Sequence, residues 1–206
     1  NGRTSGLGEI ADAVIYELPL SDGIALGYLC PIEGYALPPR WPTGTEDVAA
    51  ILDTDEHNDA VVAKHIEHRR DGKPTPGIAF CTGVQHAINL AARFEHHGIR
   101  AAAVWDSSEG AGKCPDRDGR VAEAMAGKIE VLTNFRVLGT GFDWPACTIC
   151  HLVTEIGSLG LYAQFIGRIT RKGKPKGIVL DYCGNAARHN LVNPANLTIP
   201  PTKGPR

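Results

Sequence analysis

Two hydrophobic rhythms alternate along the chain. Short apolar runs occur at "GIAFC" (77–81), "RAAAVW" (100–105), "KIEVLTN" (128–134), "CTICHLVT" (147–154) and "GIVLDYCG" (177–184). Runs of this length predict strands buried on both faces. Between the first two, Val84, Ala87, Ile88, Ala91 and Phe94 fall at helical spacing and Gly98 ends the pattern, which predicts a helix over 84–98. Further helices are predicted over 116–127 and over 158–171, the latter with Ser158 as N-cap. Apolar strands alternating with helices predict an α/β fold, a parallel sheet with helices on both faces. In such sheets ligands sit beyond the carboxyl ends of the strands, and the chemistry is expected there.

The first third is less regular. Strands are predicted over 12–19 and in "IEGYALPP" (32–39), with a short helix over 20–29 capped by Ser21. From Pro38 to Asn58 the text turns to Pro, Gly, Thr and acids, the signature of a linker. An amphipathic stretch over 60–70 closes at Asp71-Gly72. The Pro-rich segment after residue 190 reads as extended. The expected organisation is a connector over 1–57, a main domain over 58–190 and a tail over 191–206.

Composition narrows the class. Of 206 residues, 43% are hydrophobic and 21% charged, as in ordinary soluble domains. A net charge of -2 means that any nucleic-acid surface must be a local patch. No apolar run approaches the ~18 residues of a membrane span, and the N-terminus lacks the apolar centre of a signal peptide, so a cytoplasmic protein without membrane partners is expected. The six cysteines are scattered, several in apolar runs, which suits buried free thiols in a reducing compartment.

Cys147-Thr148-Ile149-Cys150-His151 matches the C-x-x-C-H haem-attachment pattern. On a strand, residues an odd number apart point to opposite faces, so the two thiols cannot converge and the match is discarded. No Cys/His grouping has a second half at zinc spacing. No metal site is expected, and the histidines are read as exposed or capping. Gly112-Lys113 is no P-loop, because Ser107 and Cys114 stand where Gly and Ser or Thr are needed.

Two constellations carry chemistry. On the predicted helix 158–171, Tyr162, Phe165, Ile166 and Ile169 form one stripe, while Gln164, Arg168 and Arg171 form the opposite one, with Gly167 beside them. Arginine suits planar, multidentate recognition of phosphate. In "VLTNFRVLGTGFDWP" (131–145), Gly139 and Gly141 let backbone N–H groups approach phosphate oxygens, and Asp143 can accept from ribose hydroxyls. Taken singly, the first is an ordinary solvated basic face and the second an ordinary tight turn.

Together, "GTGFDWP" and, about twenty residues on, "QFIGRITR" resemble motifs V and VI of superfamily 2 helicases. "PGIAFCTGVQHAINLAARFEHHGIRAAAVW" resembles the motif IV strand, helix and strand of the second RecA-like lobe. The similarity covers most of residues 1–190 and is nearer to the restriction-enzyme and DNA-repair type than to the DEAD-box type. It implies a RecA-like second helicase lobe of the P-loop NTPase kind. Arg168 and Arg171 would be fingers reaching the γ-phosphate of ATP, with Gln164 orienting the nucleotide and its water. Asp143, Gly141 and Gly167 would line the nucleotide side. Thr133, Asn134, Ser107 and Ser108 would face a nucleic-acid backbone, DNA being favoured over RNA. ATP and Mg²⁺ would be held mainly by a first lobe, itself the expected partner, that this chain does not contain. Lys172, Lys174 and Lys176 read as a flexible basic turn. Thr140 replaces the acidic residue frequent before G-F-D, and the 106–119 loop is looser than the family pattern. The runner-up is a non-catalytic RecA-like module that binds nucleic acid or a partner protein.

Overall fold

A computed structural model describes residues 20–37, 47–106, 112–137 and 142–189. In chain order the elements are α1 (Leu20–Ala25), β1 (Ile32–Ala36), α2 (Val48–Leu52), α3 (Asp55–Glu67), β2 (Gly77–Cys81), α4 (Val84–His96), β3 (Ala101–Trp105), α5 (Arg117–Met125), β4 (Val131–Phe135), β5 (Ile149–Val153), α6 (Leu159–Ile166), β6 (Gly177–Asp181) and α7 (Asn185–Arg188). The strands form a sheet in the order β1-β6-β5-β2-β4-β3. Every pairing is parallel, as expected from strand–helix alternation. β2, β5 and β6 are buried at all of their positions, which is why each appears in the sequence as a continuous apolar run rather than an alternation.

The helices take opposite faces of the sheet. Thr133, Ala79 and His151 stand side by side in register across β4, β2 and β5, and Thr133 Oγ1 donates to Ala87 O of α4. The next row faces the other way: Phe80 lies parallel to Phe165 of α6 with ring centroids 3.6 Å apart, and Cys150 Sγ lies 3.9 Å from Phe165 O. Tyr162, Phe94, Ile78 and Leu132 are fully buried in the core so formed. All six cysteines are free and buried. Cys147, two residues before β5, turns its Sγ to Ile149 O, and Cys150 turns its Sγ to Phe165 O.

Local chemistry sets the element ends. Ser158 Oγ accepts from Leu161 N at the start of α6, and Thr54 Oγ1 accepts from His57 N at the start of α3. Gly98 closes α4 with φ near +73°, a conformation open to glycine at no steric cost. At the outer edge of β3, Ala101 N–H donates to Glu95 Oε1 at 2.6 Å and Ala103 O accepts from Arg120 Nη1 at 2.7 Å.

Three expectations are corrected. The predicted linker 38–58 contains α2 and the first turn of α3, and Leu52 of α2 is fully buried in the core. The six-stranded sheet also reaches across the expected boundary near residue 58, because β1 pairs with β6 from Ile32↔Gly177 to Ala36↔Asp181. The helix predicted over 158–171 stops at Ile166. Beyond it the chain is drawn into pairing with the segment before β1: Cys30 N–H donates to Thr170 O, and Leu29 bridges Arg171 antiparallel. The strand predicted over 12–19 and the tail after residue 190 lie outside the described residues.

Candidate functional site: an arginine pair at the amino edge of the sheet

α6 runs from the carboxyl end of β5 back toward the start of β6, so residues beyond its C-terminus come to rest at the amino edge of the sheet. Residues 142–148, just before β5, reach the same edge. The two segments are tied at three points. Arg168 Nη1 donates to Phe142 O. Arg171 Nε donates to Asp143 Oδ1 at 2.8 Å. Lys174 Nζ donates to Cys147 O, so Lys174 is an anchored, half-buried group rather than part of a loose turn. A fourth bond, from Arg171 Nη1 to Gly167 O at 3.2 Å, curls the arginine over the end of α6. Gly167 sits where a Cβ would lie 3.2 Å from Ala163 O and 3.3 Å from Gln164 O, tighter than most side chains accept.

The structure thus brings Arg168, Arg171, Asp143 and Gly167 together, at the amino edge and not beyond the carboxyl ends where chemistry was expected. Gln164 is an exposed position on α6, whose Tyr162, Phe165 and Ile166 are buried. Gly141, Ser107 and Ser108 lie outside the described residues. The electrostatics favour an anion. Two guanidiniums lie near the Asp143 carboxylate, which Arg171 bonds, and burial followed by the neighbouring Arg171 charge lowers the Arg168 pKa. The Arg171 and Asp143 side chains are 37% and 61% exposed, so their ion pair is open to exchange with a ligand phosphate. No cluster of three or more metal-ligating side chains occurs among the described residues.

Thr133 and Asn134 do not present their side chains to a nucleic acid. Both are buried, Thr133 bonding to Ala87 O and Asn134 Nδ2 to Ala79 O at 2.9 Å. They lie within β4 rather than at its mouth. What faces solvent at the carboxyl edge is Arg136, with φ near +58° and its guanidinium 5.1 Å above the Phe135 ring. Beside it are Thr82 and the N-terminus of α4 at Gly83, where a Cβ would meet nothing within 4 Å. The sequence signal for these was Thr-Gly directly after an apolar run and at the head of an amphipathic helix.

The histidines are the largest departure. His57, His65, His86 and His151 are buried, not exposed or capping. Glu130 accepts from both Arg69 Nε and Arg69 Nη2 and from Thr75 N, so it is ionised and only accepts. His65 Nε2 lies 3.0 Å from Glu130 Oε1 and must therefore carry a proton. In neutral His65, Nδ1 then accepts from His151 Nε2 at 3.0 Å. His151 Nδ1 in turn accepts from Tyr182 Oη at 3.1 Å. One direction of donation satisfies the whole chain with both rings neutral. Burial would raise the Glu130 pKa, but the bonds from His65, Arg69 and Thr75 bring it down to about 2. Burial pushes His65 down and His151 well down. A polar residue inside the run "TICHLV" was the available signal.

Comparison with known proteins agrees with this architecture. No family model matches the chain. A 51.5 kDa protein of a Lactococcus phage (isolate 7-9) is 30% identical over 134 residues, covering 64% of this chain and 28% of that protein. The chain therefore spans well under a third of the curated relative that it matches. Among solved structures, a fragment assigned to the HsdR subunit of a type I restriction enzyme from Vibrio vulnificus YJ016 superimposes with a TM-score of 0.70 at 23% identity, over 92% of this chain and 38% of that one. The ATP-dependent Type ISP restriction-modification enzyme LlaBIII, bound to DNA, gives 0.57 at 17% identity, over 82% and 13%. S. cerevisiae Dbp5 bound to RNA and ADP BeF3 gives 0.56 at 15% identity, over 85% and 40%. In fold, this chain is similar to the RecA-like α/β lobes of these proteins.

Proposed function

We propose that the chain is the C-terminal half of an ATP-dependent nucleic-acid helicase or translocase. The observation that carries this reading is the amino-edge cluster, in which Arg168 is fixed on Phe142 O and Arg171 on Asp143. ATP with Mg²⁺, held by a first lobe, would supply the γ-phosphoryl group, which would pass to water with ADP as the leaving group. When the cleft closes, Arg171 exchanges Asp143 for the γ-phosphate, and Arg168 adds a second positive charge from its fixed seat. Their joint role is to neutralise charge that grows on the phosphoryl oxygens as the bond to the leaving group lengthens. Asp143, released from Arg171, is free to accept from ribose hydroxyls. At the opposite edge of the sheet, Thr82, the N-terminus of α4 and Arg136 hold the nucleic-acid backbone without reading its sequence. DNA is favoured by the restriction-enzyme resemblance.

The test is Arg171→Ala in the full-length protein. ATP turnover is expected to fall about 10³-fold with nucleic-acid binding retained. An unchanged rate would overturn the finger role. A coding region without a P-loop ahead of Asn1 would instead favour a binding module without catalysis.

A further inference from the structure

A second cationic surface lies on the amino edge, in a groove of about 890 Å³ between the turn after α3 and the turn before β6. Its floor is formed by Pro76, Thr148 and Ile178. One wall carries Arg70 and Lys73 and the other Lys174 and Lys176. The first wall is built rather than loose. Asp71 and Gly72 both take left-handed backbone angles, Lys73 N–H donates to Arg70 O, and Thr75 Oγ1 accepts from Arg70 N–H while donating to Lys73 O. This turn holds Arg70 and Lys73 in the open, and neither side chain has a hydrogen-bond or ion-pair partner among the described residues. Their neighbours are already committed: Arg69 to Glu130, Lys174 to Cys147 O, Lys176 to Glu33 and Glu67 to Lys64. Asp71 is the acid left in the lining.

A chain of net charge -2 has no general attraction for polyanions, so these cations act locally. The only aromatic ring in the described lining is the imidazole of His68, which packs against Tyr35 with ring centroids 4.4 Å apart. Point charges on stiff turns above a floor of proline and short side chains suit a ligand whose negative charge repeats regularly and whose sequence is immaterial. We propose that this groove binds the sugar-phosphate backbone of a nucleic acid, at a site separate from the carboxyl edge. It does not depend on the arginine-finger reading.

The experiment uses nucleotide-free full-length protein, a labelled oligo-dT and the double variant Arg70→Gln/Lys73→Gln, which removes two exposed charges without breaking a side-chain bond. Each lost phosphate contact should reduce the slope of log K against log salt by about 0.7. The double variant should therefore lower the slope by roughly 1.4 and weaken binding several-fold at low salt, with basal ATP turnover unchanged. In wild-type protein the oligonucleotide should shield Lys73 from acetylation, and the same shielding in Arg171→Ala would support a site independent of the fingers. Unchanged slope and affinity in the double variant would overturn the proposal. Equal shielding of Lys73 by polyglutamate would overturn it in favour of an acidic protein segment.

Discussion

Two polar assemblies sit on opposite sides of the fold's solvent boundary. The Arg171–Asp143 pair is exposed and can change partners. The chain from Arg69 through Glu130, His65 and His151 to Tyr182 is buried and satisfied in one direction only. An exposed ion pair contributes about 0–1 kcal/mol to stability. A buried one contributes little relative to apolar packing, but losing a single member strands the others in a low dielectric. The first region is thus easy to disturb structurally and, on the proposed function, decisive for activity, and the second is the reverse.

The largest expected effect is functional. Arg171→Ala should cost about 10³-fold in ATP turnover, while urea unfolding should shift by no more than about 1 kcal/mol. A large loss of stability would erase the contrast. Next, Glu130→Ala removes the acceptor of Arg69, His65 and Thr75 and should destabilise the fold by about 3–5 kcal/mol, read as a lower urea midpoint. A neutral result would mean that the network relaxes into water. Acidification acts on the buried network. The pKa values of His65 and His151 are lowered by burial, so the unfolded chain binds protons first. Their stabilisation is complete above about pH 6.5 and declines as pH falls below it. The Glu130 pKa, lowered to about 2, adds a second loss as pH falls below about 4.5. A urea midpoint flat between pH 7 and pH 5 would contradict neutral rings. The smallest effect is Asp143→Asn, expected to change stability by less than about 1 kcal/mol.

The two regions also differ in how far the sequence reveals them. Strand β2 falls on 77–81 as its apolar run predicts, and α4 ends next to Gly98, because burial on both faces and backbone freedom are local properties. The pairing of "GTGFDWP" with "QFIGRITR" is legible as a motif, and Arg168, Arg171 and Asp143 do meet. Their edge of the sheet is not legible, since it follows from the antiparallel return of α6, a property of the assembled layers. Ending α6 at Ile166 depends on Leu29 and Cys30, more than 130 residues away in the chain. The histidines escaped because polar spacing on an isolated helix says nothing about what the helix lies against. His65 meets Glu130 and His151 only after three elements pack.

The capped border of β3 limits how this lobe associates. A bare outer strand is a template on which another chain can add its own. Glu95 already takes the Ala101 amide and Arg120 already supplies the Ala103 carbonyl, so an incoming strand would have to displace two charge-assisted bonds before making any of its own. Among the described residues, Glu95 and Arg120 thus guard two backbone groups of that border, and they do so without touching either polar assembly.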